Sequence, residues 1–229
     1  FYQRAATAAE TETESREAAW GRLGCLIDLE RPEAKAALEQ LRATVVRSNP
    51  SDVVQSESGR IAYQLKLGAI DLTEADRACE LLGAVRNPLV RASFQSMYGS
   101  ALVLAARYDE ALEIAESLIE LARHYRIDFA LPYGLCAVAT ALAGRRRWQS
   151  ANLHIEQALQ ASRGGRNAFG EHICLAAKIR ILAQEGRHEA ALTMSVPELP
   201  GSLPSGGAEA LAARALALGS LSRLIEARE

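Results

Sequence analysis

LVLAARYDEA (residues 102–111), LAGRRRWQSA (142–151) and LAQEGRHEAA (182–191) are one phrase written three times at a constant interval. In each, a leucine (Leu102, Leu142, Leu182) leads to an arginine five positions on (Arg107, Arg147, Arg187). A ring follows at once (Tyr108, Trp148, His188), and an alanine stands three positions beyond it (Ala111, Ala151, Ala191). A fixed period of about 40 is the mark of stacked supersecondary units. The arginine–ring step separates two apolar, helix-forming runs, so each phrase reads as the turn of a helical hairpin.

Working outward, the small position continues upstream at Ala75 and Ala34, so that five alanines mark the chain at nearly even intervals. Where the second helix of a hairpin crosses the first, only a small side chain lets the backbones approach. The rings at 108, 148 and 188 are expected to plug the gap between adjacent hairpins, a structural duty. Between residues 109 and 125, Leu112, Ala115, Leu118, Ile119 and Ala122 recur at steps of three and four, which makes one buried stripe. Glu110, Glu113, Glu116 and Glu120 fall largely outside it, as solvated charges should.

These signals predict an all-α chain, a right-handed superhelical array of antiparallel hairpins treated as one domain over residues 1–229. The hairpins are expected at about 16–47, 53–85, 89–125, 131–162 and 169–195, with a partial or truncated sixth at 208–229. Residues 1–15 read as the frayed tail of a preceding helix. Ser48-Asn49-Pro50-Ser51-Asp52 reads as a break after which Ser51 or Asp52 caps the next helix. Asn87-Pro88 closes the second hairpin, and the proline-punctuated stretch 196–207 reads as a long loop. The first residue is Phe1 rather than methionine, and the chain is expected to be a fragment of a longer protein.

Composition agrees with helices in close contact. Hydrophobic residues make up 49% while aromatics make up only 5%, so small side chains must make most contacts. The net charge of −2 gives no global attraction to nucleic acid or an anionic membrane. Only three lysines (Lys35, Lys66, Lys178) stand among 26 basic residues, and the arginines are dispersed. Cys25, Cys79, Cys136 and Cys174 lie far apart in apolar, helix-forming stretches, with no Cys-x-x-Cys pair. They are expected to be small buried hydrophobes in a reducing, cytoplasmic setting. No apolar run approaches the ~18 residues of a membrane span.

The phasing resembles that of tetratricopeptide repeats, because Gly99 precedes Ala111 by twelve positions and Leu102 precedes it by nine. The period of about 40 exceeds the usual ~34 and implies longer helices. The stretches REAAWGRLGCLIDLERPEA (Arg16 to Ala34) and RNPLVRASFQSMYGSALVLAARYDEALEIAESLIELARHYRIDFALPYGLCAVATALAGRRRWQSANLHIEQAL (Arg86 to Leu159) resemble the helical-repeat region of large LuxR-type transcriptional regulators related to the maltose regulator. The resemblance covers about residues 16 to 219. It implies a module between an ATPase and a DNA-binding helix-turn-helix, one that senses an inducer or protein partner and governs self-association. No Gly-x-x-x-x-Gly-Lys-Ser/Thr phosphate loop occurs in the sequence, so this segment itself is expected neither to hydrolyse ATP nor to touch nucleic acid. The alternative is a free-standing scaffold that binds a peptide or helix of a partner protein.

No catalytic, cofactor or metal constellation is expected. His124, His154, His172 and His188 show no metal-ligand spacing, and His172 and Cys174, two apart on a helix, point in different directions. Ser100 and Ser150 lack the context of an activated nucleophile. Arg145-Arg146-Arg147, the one dense basic cluster, reads as a solvated turn. If the tetratricopeptide phasing holds, the concave wall carries Arg60, Gln64, Ser96, Ser100, Tyr133, Thr140 and Arg180. That mixture of guanidinium, hydroxyl and amide could hydrogen-bond an anionic or polyhydroxylated inducer, or a partner protein.

Overall fold

The computed structural model describes residues 8–67, 69–195 and 204–221. Among the described residues the chain is all-helical, with no strand. It falls into two compact units, one ending at Ala101 and one beginning at Leu102. The eleven described helices are α1 Glu12–Asp28, α2 Ala34–Ala43, α3 Pro50–Leu67, α4 Thr73–Glu80, α5 Pro88–Leu104, α6 Tyr108–Tyr125, α7 Leu131–Gly144, α8 Trp148–Gly164, α9 Ala168–Glu185, α10 His188–Thr193 and α11 Pro204–Ser220. A single 3₁₀ turn, Leu82–Ala84, follows α4.

The helix starts correct several expectations. Rather than fraying up to residue 15, the first helix begins at Glu12. There the Thr11 hydroxyl accepts from the Glu14 amide while the Glu14 carboxylate accepts from the Thr11 amide, a reciprocal capping box. Residues 1–7 lie outside the described residues. Pro50 and Pro88 open helices rather than standing in breaks, and in both cases the preceding asparagine is the cap. Asn49 Oδ1 accepts from the Ser51 amide at 3.0 Å, and Asn87 Oδ1 accepts from the Leu89 amide at 2.9 Å. A proline at the first helical position costs nothing, because its missing N–H would have been an orphan donor. Part of the expected 196–207 loop is helix, since α11 starts at Pro204. Residues 196–203 and the expected continuation 222–227 lie outside the described residues.

In the N-terminal unit, α1 and α2 close over Leu23, Ile27, Ala34, Leu38 and Leu41, with Trp20 and Tyr63 packed alongside. A methyl on Gly59 of α3 would lie 2.6 Å from the Trp20 ring, so the absent side chain is what admits the indole. Further along, Phe94 and Tyr98 stack at 5.2 Å, and the Tyr98 hydroxyl donates to Asp76.

The C-terminal unit is regular at a finer grain than the repeated phrase. Ala106, Arg126, Arg146, Arg166 and Gly186 all adopt left-handed backbone, with φ of 58°, 55°, 56°, 51° and 87°. They are evenly spaced, at half the period of the phrase. After each, the next amide reaches back to the carbonyl five positions before it, as in Arg107→Leu102, Ile127→Ala122, Arg147→Leu142, Asn167→Ser162 and Arg187→Leu182, at 2.8–2.9 Å. This is the Schellman ending of a helix, repeated after both the first and the second helix of a hairpin. The carbonyls of Leu102, Leu142 and Leu182, which share one phase and are all buried, receive three of these bonds. At Arg107, Arg147 and Arg187 the backbone then turns to nearly one conformation (ψ of 63°, 62° and 57°) before the next helix starts.

Four of those five left-handed residues carry a Cβ, which costs about 1 kcal/mol relative to glycine. Arg146→Gly is therefore expected to raise the melting stability by about 0.5–1 kcal/mol, whereas Arg146→Ala, which keeps the Cβ, should change it by less than about 0.5 kcal/mol. Thermal melts of the two variants read the difference.

The five small positions are interior as predicted: Ala34, Ala75, Ala111, Ala151 and Ala191 are all buried, Ala151 completely. Ala151→Leu is expected to overpack the crossing of α8 and cost roughly 1–3 kcal/mol in denaturant unfolding. Helix α7 is apolar almost all round, buried from Leu135 to Ala143, which suits its place among α6, α8 and α9. The cysteines divide: Cys136 and Cys174 lie in this core, but Cys25 is exposed and Cys79 is half-buried. The buried-hydrophobe reading thus holds for two of the four.

Candidate functional site

The seven sequence-selected positions fall four in the N-terminal unit and three in the C-terminal unit, and each set is described within its own unit. Arg60 and Gln64 do come together, with Arg60 buried and Gln64 half-buried. Arg60 is only 6% exposed. Its Nε donates to Glu57 Oε2 at 2.6 Å, and its two terminal nitrogens donate to Gln64 Oε1 (2.9 Å) and to the Asp71 carbonyl (3.0 Å). Glu74 lies 3.6 Å from the same guanidinium and also accepts from Arg42 at 2.8 Å. The cluster ties α3 to the start of α4, where Asp71 Oδ1 accepts from the Thr73 amide.

Burial pushes the Glu57 carboxyl above its ordinary 4.5, against the hydrogen bond and charge of Arg60, which pull it down. A carboxyl raised in the folded state contributes stability that is present below the ordinary value. That stability is lost as pH rises through the raised one. Glu57→Gln removes this loss, so the variant should gain stability relative to wild type as pH increases from about 4 to 7. Urea unfolding at a series of pH values measures the gain.

Ser96 is buried, and its carbonyl accepts from the Ser100 hydroxyl at 2.9 Å. Thr140 is buried too, with its hydroxyl turned back onto the carbonyls of Cys136 (2.9 Å) and Ala137 (3.1 Å). Arg180 pairs with Glu209 on α11 at 3.2 Å, and Tyr133 is half-buried. Ser100, Thr140, Arg60 and Arg180 therefore spend polar atoms on the chain itself.

A cavity of about 550 Å³ lies elsewhere, along the hairpin turns of the C-terminal unit. It is lined by Tyr108, Ala143, Gly144, Arg146, Trp148 and Gln184. The repeat builds it. Tyr108 opens α6, Gly144 ends α7, Arg146 lies in the α7–α8 turn, Trp148 opens α8, and Gln184 lies near the end of α9. A methyl on Gly144 would sit 2.3 Å from the Tyr108 ring, so the glycine lets the phenol lie against the turn of the following hairpin. Gln184 follows Trp148 by the same offset at which Gly144 follows Tyr108. Both rings are half-buried and both line the cavity.

The charges around the groove are unevenly satisfied. Arg107 is paired with Glu110, Arg145 with Asp109, and Arg187 with Glu185 at 3.5 Å. Among the described residues, Arg146 and Arg147 have no ion pair, and both are exposed. Asn152 bridges the Trp148 carbonyl and Glu185 Oε2, at 2.9 and 3.0 Å, fixing the start of α8 against the end of α9.

No family model, curated protein or solved structure matches this chain. The site rests on its own geometry. Among the described residues no group of three or more His, Cys, Asp or Glu side chains could hold a metal ion, and no helix is long and apolar enough to cross a membrane. What the groove offers is two aromatic faces, an amide and an unpaired guanidinium, an inventory for recognition of a ligand. The sequence reading assigned Tyr108 and Trp148 to packing and Arg146 to a solvated turn. The signal that could have joined them is Gly144, a glycine at the position where the other two phrases carry Leu104 and Gln184.

Proposed function

We propose that the chain is a protein-interaction and signal-sensing module. Its hairpins stack as a right-handed, tetratricopeptide-like array, and its setting is that of a LuxR-type, ATPase-linked regulator. The observation that carries the interaction role is the groove along the hairpin turns, with half-buried rings and an unpaired arginine held by a rigid repeat. The turn that returns twice in each period supports the array, since evenly spaced, equal turns relate each hairpin to the next by a similar rotation. A ligand that binds one curvature better than another shifts the population toward it, and small changes at successive interfaces add along the array. The local phrases from Arg16 to Ala34 and from Arg86 to Leu159 support the regulator setting.

Sequencing the gene outward from this segment tests that setting. A phosphate-binding loop upstream and a helix-turn-helix downstream are the expected result. A reading frame that contains neither contradicts the regulator and leaves the alternative, a scaffold that binds a partner's peptide or helix; the groove favours this second reading equally.

A further inference from the structure

We propose that the groove between Tyr108 and Trp148 takes an extended, proline-bearing acidic peptide segment, with Arg146 pairing the peptide's carboxylate. This rests on the reading of the chain as an interaction module and names the chemistry of its partner.

Three features select that occupant. The first is charge. Of the arginines crowded at these turns, those at 107, 145 and 187 are already matched by Glu110, Asp109 and Glu185. Arg146 lines the groove with no acidic partner among the described residues, so the groove presents one uncompensated positive charge and complements a carboxylate. The second is the pair of half-buried rings. A groove lined by a phenol and an indole suits proline rings and short aliphatic side chains, which pack on aromatic rings and lose little entropy when the peptide is already extended. The third is shape. The groove is open and is lined from three successive hairpins, so it runs across their turns, as suits an extended chain. A small ligand wants most of its surface enclosed. Gln184, exposed at one side, can donate to and accept from a peptide bond.

The backbone makes the cation's position firm. Arg146 is the left-handed residue of its turn, locked by its own amide bonding the Ala143 carbonyl at 2.8 Å and by the Arg147 amide bonding Leu142 at 2.9 Å. A guanidinium launched from a fixed turn loses less freedom on binding than one on a mobile loop.

The test is calorimetric titration of the full 229-residue chain with three synthetic nonapeptides: Pro-Glu-Leu repeated, Pro-Lys-Leu repeated, and Ser-Glu-Ser repeated. The expected result is binding of the first, weakened by added salt, with the second and third binding at least about tenfold more weakly. Arg146→Glu should lower the affinity for the first peptide by about tenfold or more. Arg123→Glu, an equal charge change at an exposed position on α6 away from the groove lining, should leave it unchanged; circular dichroism confirms that both variants are folded. Preferential binding of the lysine peptide, abolished by Trp148→Ala, would overturn the acidic ligand while keeping the groove as an interaction surface. Equal affinity in Arg146→Glu and wild type would overturn the role of Arg146. Absence of heat with all three peptides would overturn both the ligand class and the groove as the binding edge.

Discussion

Replacing Arg60 with alanine is expected to destabilise the N-terminal unit by about 3–5 kcal/mol. The guanidinium satisfies the Glu57 carboxylate, the Gln64 carbonyl oxygen and the Asp71 carbonyl together, at 2.6, 2.9 and 3.0 Å. Removing it leaves a carboxylate that is 7% exposed facing the distant Arg42, at 3.9 Å, and it frees the chain segment that leads into α4. The cost follows from the asymmetry of buried ion pairs: forming one gains little over an apolar substitute, whereas removing one partner strands the other. Because burial already raises Glu57, acidifying the solution lets that carboxyl take up a proton. The penalty of Arg60→Ala should therefore shrink toward low pH. Arg42→Ala, at the exposed rim of the same cluster, should cost no more than about 1 kcal/mol. Urea unfolding of the two variants at two pH values separates the effects.

The second large effect is expected in the C-terminal unit. Ile155→Ala should cost roughly 2–5 kcal/mol. Ile155 is completely buried in the cluster formed by α6, α7, α8 and α9, among Ala151, Ala158, Leu159 and Cys174. Many of the residues in that cluster are alanines, which have no side chain to swing into the space, so the cavity stays open and the higher part of the range applies. Leu153, two residues earlier on the same helix, is 58% exposed, and Leu153→Ala should change stability by less than about 0.5 kcal/mol. Equal losses in guanidinium unfolding would mean that the face of α8 has been assigned wrongly.

The helices were legible in the sequence because the pattern that positions them is made of side chains. Ala34, Ala75, Ala111, Ala151 and Ala191 mark crossings where size alone decides the residue, and all five are buried. The turn at half the period was not legible, for a physical reason. Its left-handed position is occupied by Ala106, by arginine at 126, 146 and 166, and by Gly186, and only the last is a residue type that favours that conformation. The conformation is imposed by the amide that reaches back to the helix end and only once by a glycine. The repeated phrase marks the turns inside hairpins and passes over Arg126 and Arg166, which end the second helices and share the same geometry.

The polar positions show a similar limit. Phase along a helix says which face a residue occupies, but not whether that face is covered. Arg60, Ser96 and Thr140 lie under neighbouring elements, and Arg60 and Thr140 satisfy their polar atoms within the chain. Arg146, in sequence one member of a charged run, is singled out only when the partners of Arg145 and Arg107 are known. Tyr108 does plug a gap as expected, over Gly144, and the same seating turns its ring into a wall of the groove.

The central claim is that one turn, returning twice in each period, generates the C-terminal unit and places the groove on its edge. Native-state amide hydrogen exchange at Arg107, Ile127, Arg147, Asn167 and Arg187 tests it most directly, because these five amides donate the bonds that close the turns. Protection at all five, well above that of exposed turn amides, is the result the account predicts. Protection at 107, 147 and 187 with free exchange at 127 and 167 would contradict the half-repeat and leave only the hairpin as the repeating unit. Free exchange at all five would contradict the turn itself.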